Sequence, residues 1–415
     1  MLLHAPHRPW RAVLSIASLV ALTAACGPET PRLAAKGTGD LSNALASRKD
    51  PGLELKAACN SSEQPSDSAT FPRAPYVQSI TEDSARVLFS LRAEQSPDVI
   101  LSSNDDALRR ARAVSVSAVT PPSVRQFEAR FRGLRPDTTY CYSVEGMTSP
   151  VGFRTAPRGD AHATTRFAVL GDSGTGSFYQ RAVSAMLQTV PYQFVLHLGD
   201  LAYESGTRSE LQSYFFDIYP ALTRSFPVYP VAGNHDYRTE AAAPLLEAFS
   251  LPDNAPRTRS ERFYSFDWGQ AHFVGLDTEA MDAEQVTWLD NDLAANDRPW
   301  TIVYGHRPLY SSGESGGDAG LRATLGPIFQ RYGVQLVLAG HEHDYERTWP
   351  IDGVTYVVSG GGGRGTRPVS SSSFTAYSEG VLHLLFIEVE SDALVVHAVD
   401  GTGREFDDTR IPRLG

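Results

Sequence analysis

From residue 166 onward, short apolar runs alternate with longer stretches whose apolar residues recur at helical spacing. The runs of strand length lie at 167–170, 194–198, 228–231, 301–304 and 336–338. The helical spacing falls at 179–189, 283–295 and 321–332,. Alternation of this kind predicts an α/β domain built in layers. Hairpin-like segments at 382–388 and 394–399 indicate that its sheets are mixed rather than wholly parallel,.

The region before residue 158 has a different pattern, in which strand-like runs follow one another without helices. Runs at 85–91 and 124–131 are strand-like, and Tyr140, Tyr142 and Val144 alternate after a Pro136-Asp137 turn,. This turn and strand, in the order L-x-P-x-T-x-Y-x-Y, resemble a fibronectin type III sandwich. Such a sandwich carries no chemistry by itself.

The first 70 residues have the pattern of an export signal followed by a tether. Arg8 and Arg11 precede an apolar stretch at 12–25, which predicts a signal peptide over 1–25 because the stretch is short for a membrane span,. The residues before Cys26 resemble a bacterial lipoprotein box and predict a lipid anchor on Cys26, although the usual Leu stands one place early. Plain cleavage after a small residue stays open as the alternative.

These patterns give four segments. They are a signal at 1–25, a disordered linker at 26–70, a fibronectin type III-like domain at 71–157 and a catalytic domain at 161–415. The predicted location is outside the cytoplasm, either as a lipoprotein on the cell envelope or as a secreted or periplasmic protein. In that setting Cys59 and Cys141 form a disulfide or stay as two free thiols, and the sequence leaves both open,.

The net charge of the chain restricts the kinds of partner that it can bind. The 415 residues carry a formal net charge of -11, which argues against a nucleic-acid-binding surface,. An acidic chain also attracts anionic substrates poorly at long range, so any phosphate chemistry must rely on local positive charge such as a metal ion.

Five short blocks follow the ends of predicted strands. They are GDSG at 171–174, GDLAY at 199–203, GNHD at 233–236, VYGH at 303–306 and GHEHDYER at 340–347. Because ligands of open α/β sheets bind beyond the carboxyl ends of strands, the polar residues of these blocks are expected to converge. Carboxylate and amide oxygens suit hard cations, and imidazole nitrogens suit transition metals. The blocks therefore predict a two-metal hydrolase.

The phenol of Tyr203 narrows the choice of metal. A ligand of this kind must lose its proton to coordinate well, which requires a strong Lewis acid. Tyr203 therefore points to a trivalent ion such as Fe(III) and argues against a site that holds only magnesium.

In their order, the five blocks resemble those of the purple acid phosphatases within the calcineurin-like metallophosphoesterases. The pattern of that family runs GDxG, GDxxY, GNH(D/E), VxxH and GHxH, and the resemblance covers about residues 71–415. It implies an α/β fold, a layered mixed β-sandwich flanked by helices, preceded by a small all-β immunoglobulin-like sandwich. It also implies an acid phosphatase that hydrolyses phosphate monoesters by attack of a metal-bound hydroxide.

The resemblance assigns the metal ligands to two ions. It implies that Asp172, Tyr203 and His343 bind Fe(III), and that Asp200 bridges the two metals.

The other ligands belong to the second ion. The resemblance implies that Asn234, His306 and His341 bind a divalent Fe, Zn or Mn ion. It further implies that Asn234 and His235 contact the substrate and that His235 takes part in catalysis.

One position departs from the family pattern. Members often carry a His nine residues after the VxxH histidine, placed to protonate the leaving group, and Ser315 stands there in this chain. Loss of a general acid costs about 10²–10⁴-fold for poor leaving groups. His235 or Glu314 could replace it.

The leading hypothesis is an exported phosphatase that takes small phosphorylated substrates and binds no nucleic acid. One alternative is a phosphodiesterase or nucleotidase, because the walls of the pocket rather than the metals select the substrate. An alternative of another class is a non-catalytic surface-binding protein, in which the sandwich binds and the other domain is inert.

Overall fold

The computed structural model describes residues 50–61, 70–92, 96–103, 108–119, 124–160 and 164–413. The predicted signal at 1–25, the predicted anchor Cys26 and most of the predicted linker lie outside the described residues.

The described part of the linker region differs from the predicted disorder. Residues Leu53–Cys59 form helix α1, and Cys59 is disulfide-bonded to Cys141 with a Cα–Cα distance of 5.5 Å. The helix packs closely on the sandwich: a Cβ atom added to Gly152 would lie 2.9 Å from both Cys59 Sγ and the Leu55 carbonyl oxygen. A covalent link and a buried leucine thus order a segment whose composition alone suggested a tether.

Eight strands form the N-terminal β-sandwich region. In the described residues they make two four-stranded antiparallel sheets, with orders β1-β2-β6-β5 and β4-β3-β7-β8. The strands are β1 Arg73–Gln78, β2 Ser84–Leu91, β3 Asp98–Ser102, β4 Arg109–Arg112, β5 Val114–Val119, β6 Val124–Arg132, β7 Thr139–Val144 and β8 Val151–Arg154. The alternation predicted for Tyr140, Tyr142 and Val144 is confirmed, because all three are buried while the residues between them are partly exposed.

The larger part of the molecule contains two mixed sheets. As far as the structure describes them, their orders are β11-β10-β9-β19-β20-β21 and β12-β13-β14-β15-β17-β16-β18. Strands β9, β10 and β11 run parallel, as do β13, β14, β15 and β17. The strands are β9 Thr165–Leu170, β10 Phe194–His197, β11 Val228–Pro230, β12 Tyr264–Trp268, β13 Ala271–Gly275, β14 Trp300–Gly305, β15 Leu336–Ala339, β16 Tyr345–Thr348, β17 Thr355–Ser359, β18 Thr375–Glu379, β19 His383–Val389, β20 Ala393–Asp400 and β21 Glu405–Pro412.

Helices connect these strands. They are α2 Phe178–Met186, α3 Arg208–Leu211, α4 Pro220–Ser225, α5 Ala243–Ala248, α6 Ala283–Ala295 and α7 Ala319–Arg331. A π-helical turn at Gln212–Phe216 and 3₁₀ turns at Asp236–Arg238, Glu240–Ala242 and Arg257–Arg259 complete the set in the described residues. The starts of the longer helices follow from capping: Ser177, Asp282 and Asp318 each accept a hydrogen bond from a backbone N–H of the first turn,.

Phenylalanines fill the space between the two mixed sheets. Phe194 of β10 lies 5.1 Å from Phe273 of β13 and 5.7 Å from Phe266 of β12, measured between ring centroids. Phe167 of β9 stands edge-on to the same Phe273 at 5.2 Å. The two sheets therefore face each other across one core, which brings the carboxyl ends of their parallel strands to a common edge.

The β-sandwich region is hydrogen-bonded to the mixed sheets and their connections. Ser79 donates to the Ser250 carbonyl oxygen at 2.6 Å, and Tyr229 donates to the Ile80 carbonyl oxygen at 2.9 Å. Their burial shows that this contact excludes water. Among the described residues, no helix is both long and apolar enough to cross a membrane.

His272 on β13 is held between two carboxylates. Its Nδ1 lies 2.7 Å from Asp267 and its Nε2 lies 2.8 Å from Asp292. Burial alone would lower the pKa of His272, but the hydrogen bonds and charges of the two aspartates raise it to about 9. The ring is thus a charged, doubly paired group inside the fold.

We expect this pair of contacts to make stability pH-dependent. The pKa of His272 is higher folded than unfolded, so its contribution is full below about pH 6.5 and is lost as pH rises through about 9,. The wild-type protein should lose roughly 1–3 kcal/mol of unfolding free energy across that window relative to His272→Gln. Urea unfolding at half-unit pH steps measures the difference, and Asp292→Asn should reduce it. Parallel profiles for wild type and His272→Gln would contradict the expectation.

Candidate metal centre

The site forms where parallel strands end. Asp172 follows β9 and Asp200 follows β10, and both have positive φ angles, 58° and 55°. His341, after β15, also has a positive φ of 71°. Such backbone is uncommon in residues other than glycine and is often found at functional sites. These turns direct the side chains of Asp172, Asp200 and His341 toward the edge that the two sheets share.

One group of three side chains lies on the Tyr203 side of this edge. The Tyr203 hydroxyl donates to Asp172 Oδ1 at 3.0 Å and lies 3.4 Å from His343 Nε2. The distance from His343 Nε2 to Asp172 Oδ1 is 3.6 Å. We call these three residues the tyrosine group.

A second group lies on the Asn234 side. The Asn234 Oδ1 atom lies 3.1 Å from His306 Nε2 and 2.9 Å from His341 Nδ1. The two imidazole nitrogens are 3.3 Å apart. We call these three residues the asparagine group.

Asp200 lies between the two groups. Its Oδ1 atom is 3.7 Å from His306 Nε2, and its charge helps to raise the pKa of the Tyr203 hydroxyl on the other side. Ligand atoms of Asp172, Asp200 and His306 lie within 4.8 Å of one another. All seven side chains predicted to bind metal are therefore brought together, in two triangles joined by one carboxylate.

Hydrogen bonds from the surrounding chain fix the orientation of these side chains. His306 Nδ1 lies 2.8 Å from the Leu198 carbonyl oxygen, which can only accept, so Nδ1 carries a proton and Nε2 is the ring nitrogen that faces the site,. The His341 backbone N–H donates to Asp172 Oδ2 at 2.9 Å. The His306 backbone N–H donates to Thr278 at 3.1 Å.

The Tyr203 hydroxyl holds its proton tightly in the protein alone. Burial, together with the charges of Asp172 and Asp200, raises the pKa of Tyr203 well above its ordinary value. Two carboxylates beside a phenol favour the neutral phenol, and only a strongly charged cation can reverse that preference.

Around Asp200 and His341, the electrostatics instead favour the deprotonated form of each side chain. Burial by itself would raise the pKa of Asp200, but His306 and His235 hold it below its ordinary value. Burial, followed by the charges of His306 and Arg307, lowers the pKa of His341 to about 3. A neutral imidazole beside an ionised carboxylate is the protonation state that metal binding needs.

The donor set fits metal ions. The carbonyl oxygen of Asn234 and the Nε2 atom of His306 face the same point, and His341 Nδ1 completes that triangle. A cation satisfies acceptors that converge in this way, whereas acceptors alone repel one another. The tyrosine group offers oxygen-rich ligands for a harder ion.

Comparison with known proteins agrees with this geometry. A family model described as calcineurin-like phosphoesterase matches residues 165–345, which include all seven side chains. Human acid phosphatase type 7 is 33% identical over an alignment of 253 residues that covers 53% of this chain and 56% of that protein. Purple acid phosphatase 15 of Arabidopsis thaliana is 31% identical over an alignment of 281 residues that covers 56% of this chain and 53% of that protein. The solved purple acid phosphatase PPD1 from yellow lupin has a TM-score of 0.71 and 21% identity over 83% of this chain and 75% of its own.

The chain is a purple acid phosphatase-like member of the calcineurin-like metallophosphoesterases. The predicted fold is confirmed, since the lupin structure pairs the same mixed α/β sandwich with small preceding antiparallel sheets. The chain spans about half the length of the two relatives.

His235 of this metallophosphoesterase lies beside the tyrosine group. Its ring centroid is 4.4 Å from that of Tyr203, and its Nε2 is 4.0 Å from Asp200 Oδ2. Its Nδ1 lies 2.7 Å from the Glu204 carbonyl oxygen and therefore carries a proton. This leaves Nε2 as the atom that faces the centre.

The loop that carries Ser315 is fixed by buried acids. The backbone N–H groups of Glu314 and Ser315 donate to Glu342 at 3.1 and 2.8 Å, and Glu342 is fully buried. Glu314 itself is exposed, with its carboxylate 3.7 Å from Arg367. The glutamate of the GHEHD block thus positions the loop on which the family's acid is expected.

Three residues that support this phosphoesterase site were not identified from the sequence. Asp236 accepts from the Gly233 N–H at 2.9 Å and so shapes the GNHD turn. Glu279 pairs with Arg307, which lies 3.5 Å from His341 Nε2. Asp236 stands within the GNHD block and Arg307 directly follows the VYGH block, whereas Glu279 has no such signal in the sequence.

Proposed function

We propose that this metallophosphoesterase is an exported acid phosphatase that hydrolyses phosphate monoesters with two metal ions. In this proposal Asp172, Tyr203 and His343 would hold Fe(III), and Asp200 would be shared by the two ions. The observation that carries the proposal is the buried Tyr203 hydroxyl, which donates to Asp172 and whose pKa is raised by burial and by the charges of Asp172 and Asp200.

The asparagine group supports a softer partner ion. Asn234, His306 and His341 supply one amide oxygen and two imidazole nitrogens, a donor set that suits divalent Fe, Zn or Mn,. The asymmetry between the two groups favours two different metals over a pair of the same kind.

When bound, the two ions would polarise the phosphoryl oxygens and activate a water molecule at moderate pH. The protein's own part is orientation. Hydrogen bonds to Leu198 and Thr278 hold His306 in one tautomer and one position. His235 directs Nε2 toward the centre, where it can donate to a phosphoryl oxygen or to the leaving group once protonated,.

The visible spectrum tests the metal assignment. Protein purified with iron should show a tyrosinate-to-Fe(III) absorption band, and Tyr203→Phe should lose that band. Tyr332→Phe is the matched control, because its hydroxyl contacts Asp290 on an outer helix. Elemental analysis of both variants measures the metals. An active, colourless and iron-free wild-type enzyme would remove the Fe(III) assignment.

Activity on matched substrates tests the reaction. Phenyl phosphate should be hydrolysed faster than diphenyl phosphate by the metal-loaded protein. A preference for the diester would favour a phosphodiesterase. A metal-loaded protein that hydrolyses neither substrate would favour the non-catalytic alternative.

The segment boundaries and the location belong to the same proposal. We propose a sandwich domain at 71–157 and a catalytic domain at 161–415, which limited proteolysis would test. The Cys59–Cys141 disulfide is typical of proteins that leave the cytoplasm,. A lipid anchor on Cys26 is proposed from the sequence alone, and fatty-acid labelling of wild type and Cys26→Ser would test it.

A further inference from the structure

Two acidic residues of the GHEHD block are not among the predicted metal ligands. Glu342 stands between His341 and His343, and Asp344 follows them. Both acidic side chains are fully buried, at 0% exposure. A charged group loses its hydration when it is buried, so it has to be balanced by hydrogen-bond donors or by positive charge. The partners of each carboxylate therefore show whether its charge is balanced.

The carboxylate of Glu342 is only partly balanced. Its Oε1 atom accepts from the Ser315 N–H at 2.8 Å, and its Oε2 atom accepts from the Glu314 N–H at 3.1 Å. The nearest guanidinium nitrogen, Arg367 Nη1, is 3.7 Å from Oε2. A carboxylate oxygen has room for two donors, so each oxygen of Glu342 can still take a further contact.

The carboxylate of Asp344 has no donor at all. Among the described residues, neither of its oxygen atoms has a hydrogen-bond partner. The charges that act on it most strongly are the negative charges of Glu342 and Glu346, followed by that of Asp172. Arg367 is the cation that opposes them. Asp344 is thus a buried and unpartnered acid inside a negatively charged part of the fold.

Arg367 does not neutralise this cluster. Its Nη1 atom donates to the His341 carbonyl oxygen at 3.4 Å, and its Nε atom lies 3.7 Å from Glu314 on the surface. The three buried carboxylates at 342, 344 and 346 face one arginine, which leaves a surplus of two negative charges. A divalent cation carries the charge that would balance this surplus.

A glycine leaves a gap between the carboxylates of Asp344 and Glu342. A Cβ atom on Gly313 would lie 2.8 Å from Asp344 Oδ2 and 2.8 Å from Glu342 Oε2. One point beside the glycine therefore faces an oxygen atom of each carboxylate. Both distances are only slightly longer than the roughly 2.3–2.6 Å at which calcium binds oxygen, so small rotations of the two side chains are enough to reach an ion there.

We propose that Asp344 and Glu342 bind a calcium ion beside Gly313, at a third metal site separate from the two-metal centre. The two side chains offer only oxygen atoms, which hard cations prefer, and no imidazole or thiolate that would favour a transition metal. Calcium accepts a flexible shell of oxygen ligands, so backbone carbonyl oxygens and water can supply the remaining contacts. The inference does not depend on the proposed phosphatase function.

An ion at this position would stabilise the loop at 311–317. Glu342 already holds two backbone N–H groups of that loop. Glu346 on β16 holds the loop as well, because it accepts from Ser312 Oγ at 2.7 Å. Calcium would add a contact beside Gly313, between these two anchors. The role of the site is therefore structural, and its effect should appear in stability.

Calcium binding to the protein loaded at its two-metal centre tests the proposal. Equilibrium dialysis should find about one calcium ion per chain, and saturating calcium should raise Tm by about 3 °C or more. Asp344→Asn should weaken calcium binding about tenfold or more, because a charged ligand becomes neutral. Gly313→Ala should weaken it as well, because the new methyl group takes the place between the two oxygen atoms.

Asp400→Asn is the matched control. Asp400 is also a buried aspartate, but its oxygen atoms accept from Thr402 Oγ1 at 2.6 Å and from Arg404 Nε at 2.8 Å. Calcium binding should therefore stay unchanged in this variant. Elemental analysis of iron and zinc shows whether the two-metal centre is still loaded in each variant.

Loss of calcium binding in Asp344→Asn and Gly313→Ala, with binding retained in Asp400→Asn, supports the inference. Wild-type protein that binds no calcium would overturn it, and Asp344→Asn should then melt at a higher temperature than wild type, because a buried and unbalanced acid has been removed. Binding that persists in both variants would also overturn it, since the ion must then lie elsewhere. If Asp344→Asn does not fold, Gly313→Ala decides, because it keeps both carboxylates.

Discussion

Asp200→Asn should lower kcat/KM for phenyl phosphate by about 10³-fold or more, the largest loss expected from any single conservative change here. Asp200 lies between the two groups of side chains, since its charge raises the pKa of Tyr203 on one side and its Oδ1 is 3.7 Å from His306 Nε2 on the other. Asparagine keeps the shape and removes the charge. Both ions should therefore bind less tightly, and elemental analysis should show a loss of metal.

Stability measurements separate this effect from misfolding. Metal raises the melting temperature of a protein that binds it in the folded state only, so added metal should stabilise wild type and not Asp200→Asn. Asp217→Asn is the matched control, because that carboxylate is exposed and accepts from Gln212 at 2.8 Å. An Asp200→Asn protein with full metal content and wild-type turnover would contradict the bridging role.

Gly360→Ala should both destabilise the fold and lower activity. The new Cβ would lie 2.1 Å from the Glu342 carbonyl oxygen and 2.8 Å from Asp172 Oδ2. A backbone atom cannot rotate away, so the end of β17 must shift at a cost of about 1–3 kcal/mol. A shift of about 1 Å in Asp172 can cost about 10²-fold in rate.

Urea unfolding and phenyl phosphate hydrolysis measure the two parts of this prediction. Gly401→Ala is the control, since the nearest atom to its Cβ would be Ala182 Cβ at 3.8 Å, an ordinary contact. The control should change the unfolding free energy by less than about 1 kcal/mol. Wild-type stability and activity in Gly360→Ala would show that the close approach of residue 360 to the Glu342 carbonyl oxygen is not required.

The sequence predicted the fold and the site best where a local apolar pattern is followed directly by residues that can bind metal. Apolar runs followed by GD, GNH or GH identified strand ends, and the parallel pairing of β9 with β10 and of β14 with β15 brought those ends together. The helix predicted at 283–295 is confirmed by α6, because Asp282 caps its first turn. Local rules of capping and periodicity act within a few residues, which is why they can be read from sequence.

Other features depended on residues distant in the chain. The linker region was predicted as disordered, yet α1 is ordered by the bridge from Cys59 to Cys141, 82 residues away. His272 gave no sign of its high pKa, because Asp292 comes from a later helix. Burial and long-range pairing set these properties, and neither is visible in a local pattern.

The sequence by itself determined that this chain carries seven metal-ligand candidates at strand ends and a phenol that calls for a hard, strongly charged ion. The family resemblance implied how the seven divide, but only the tertiary structure supplies the distances that form the two groups. It sets Tyr203 against His343, 140 residues later, and leaves Asp200 between the two groups. It also places Arg364, which follows four consecutive glycines, over the ring of Tyr203. Ligand type is a property of each residue, whereas grouping depends on distances that only sheet register and backbone contact can fix.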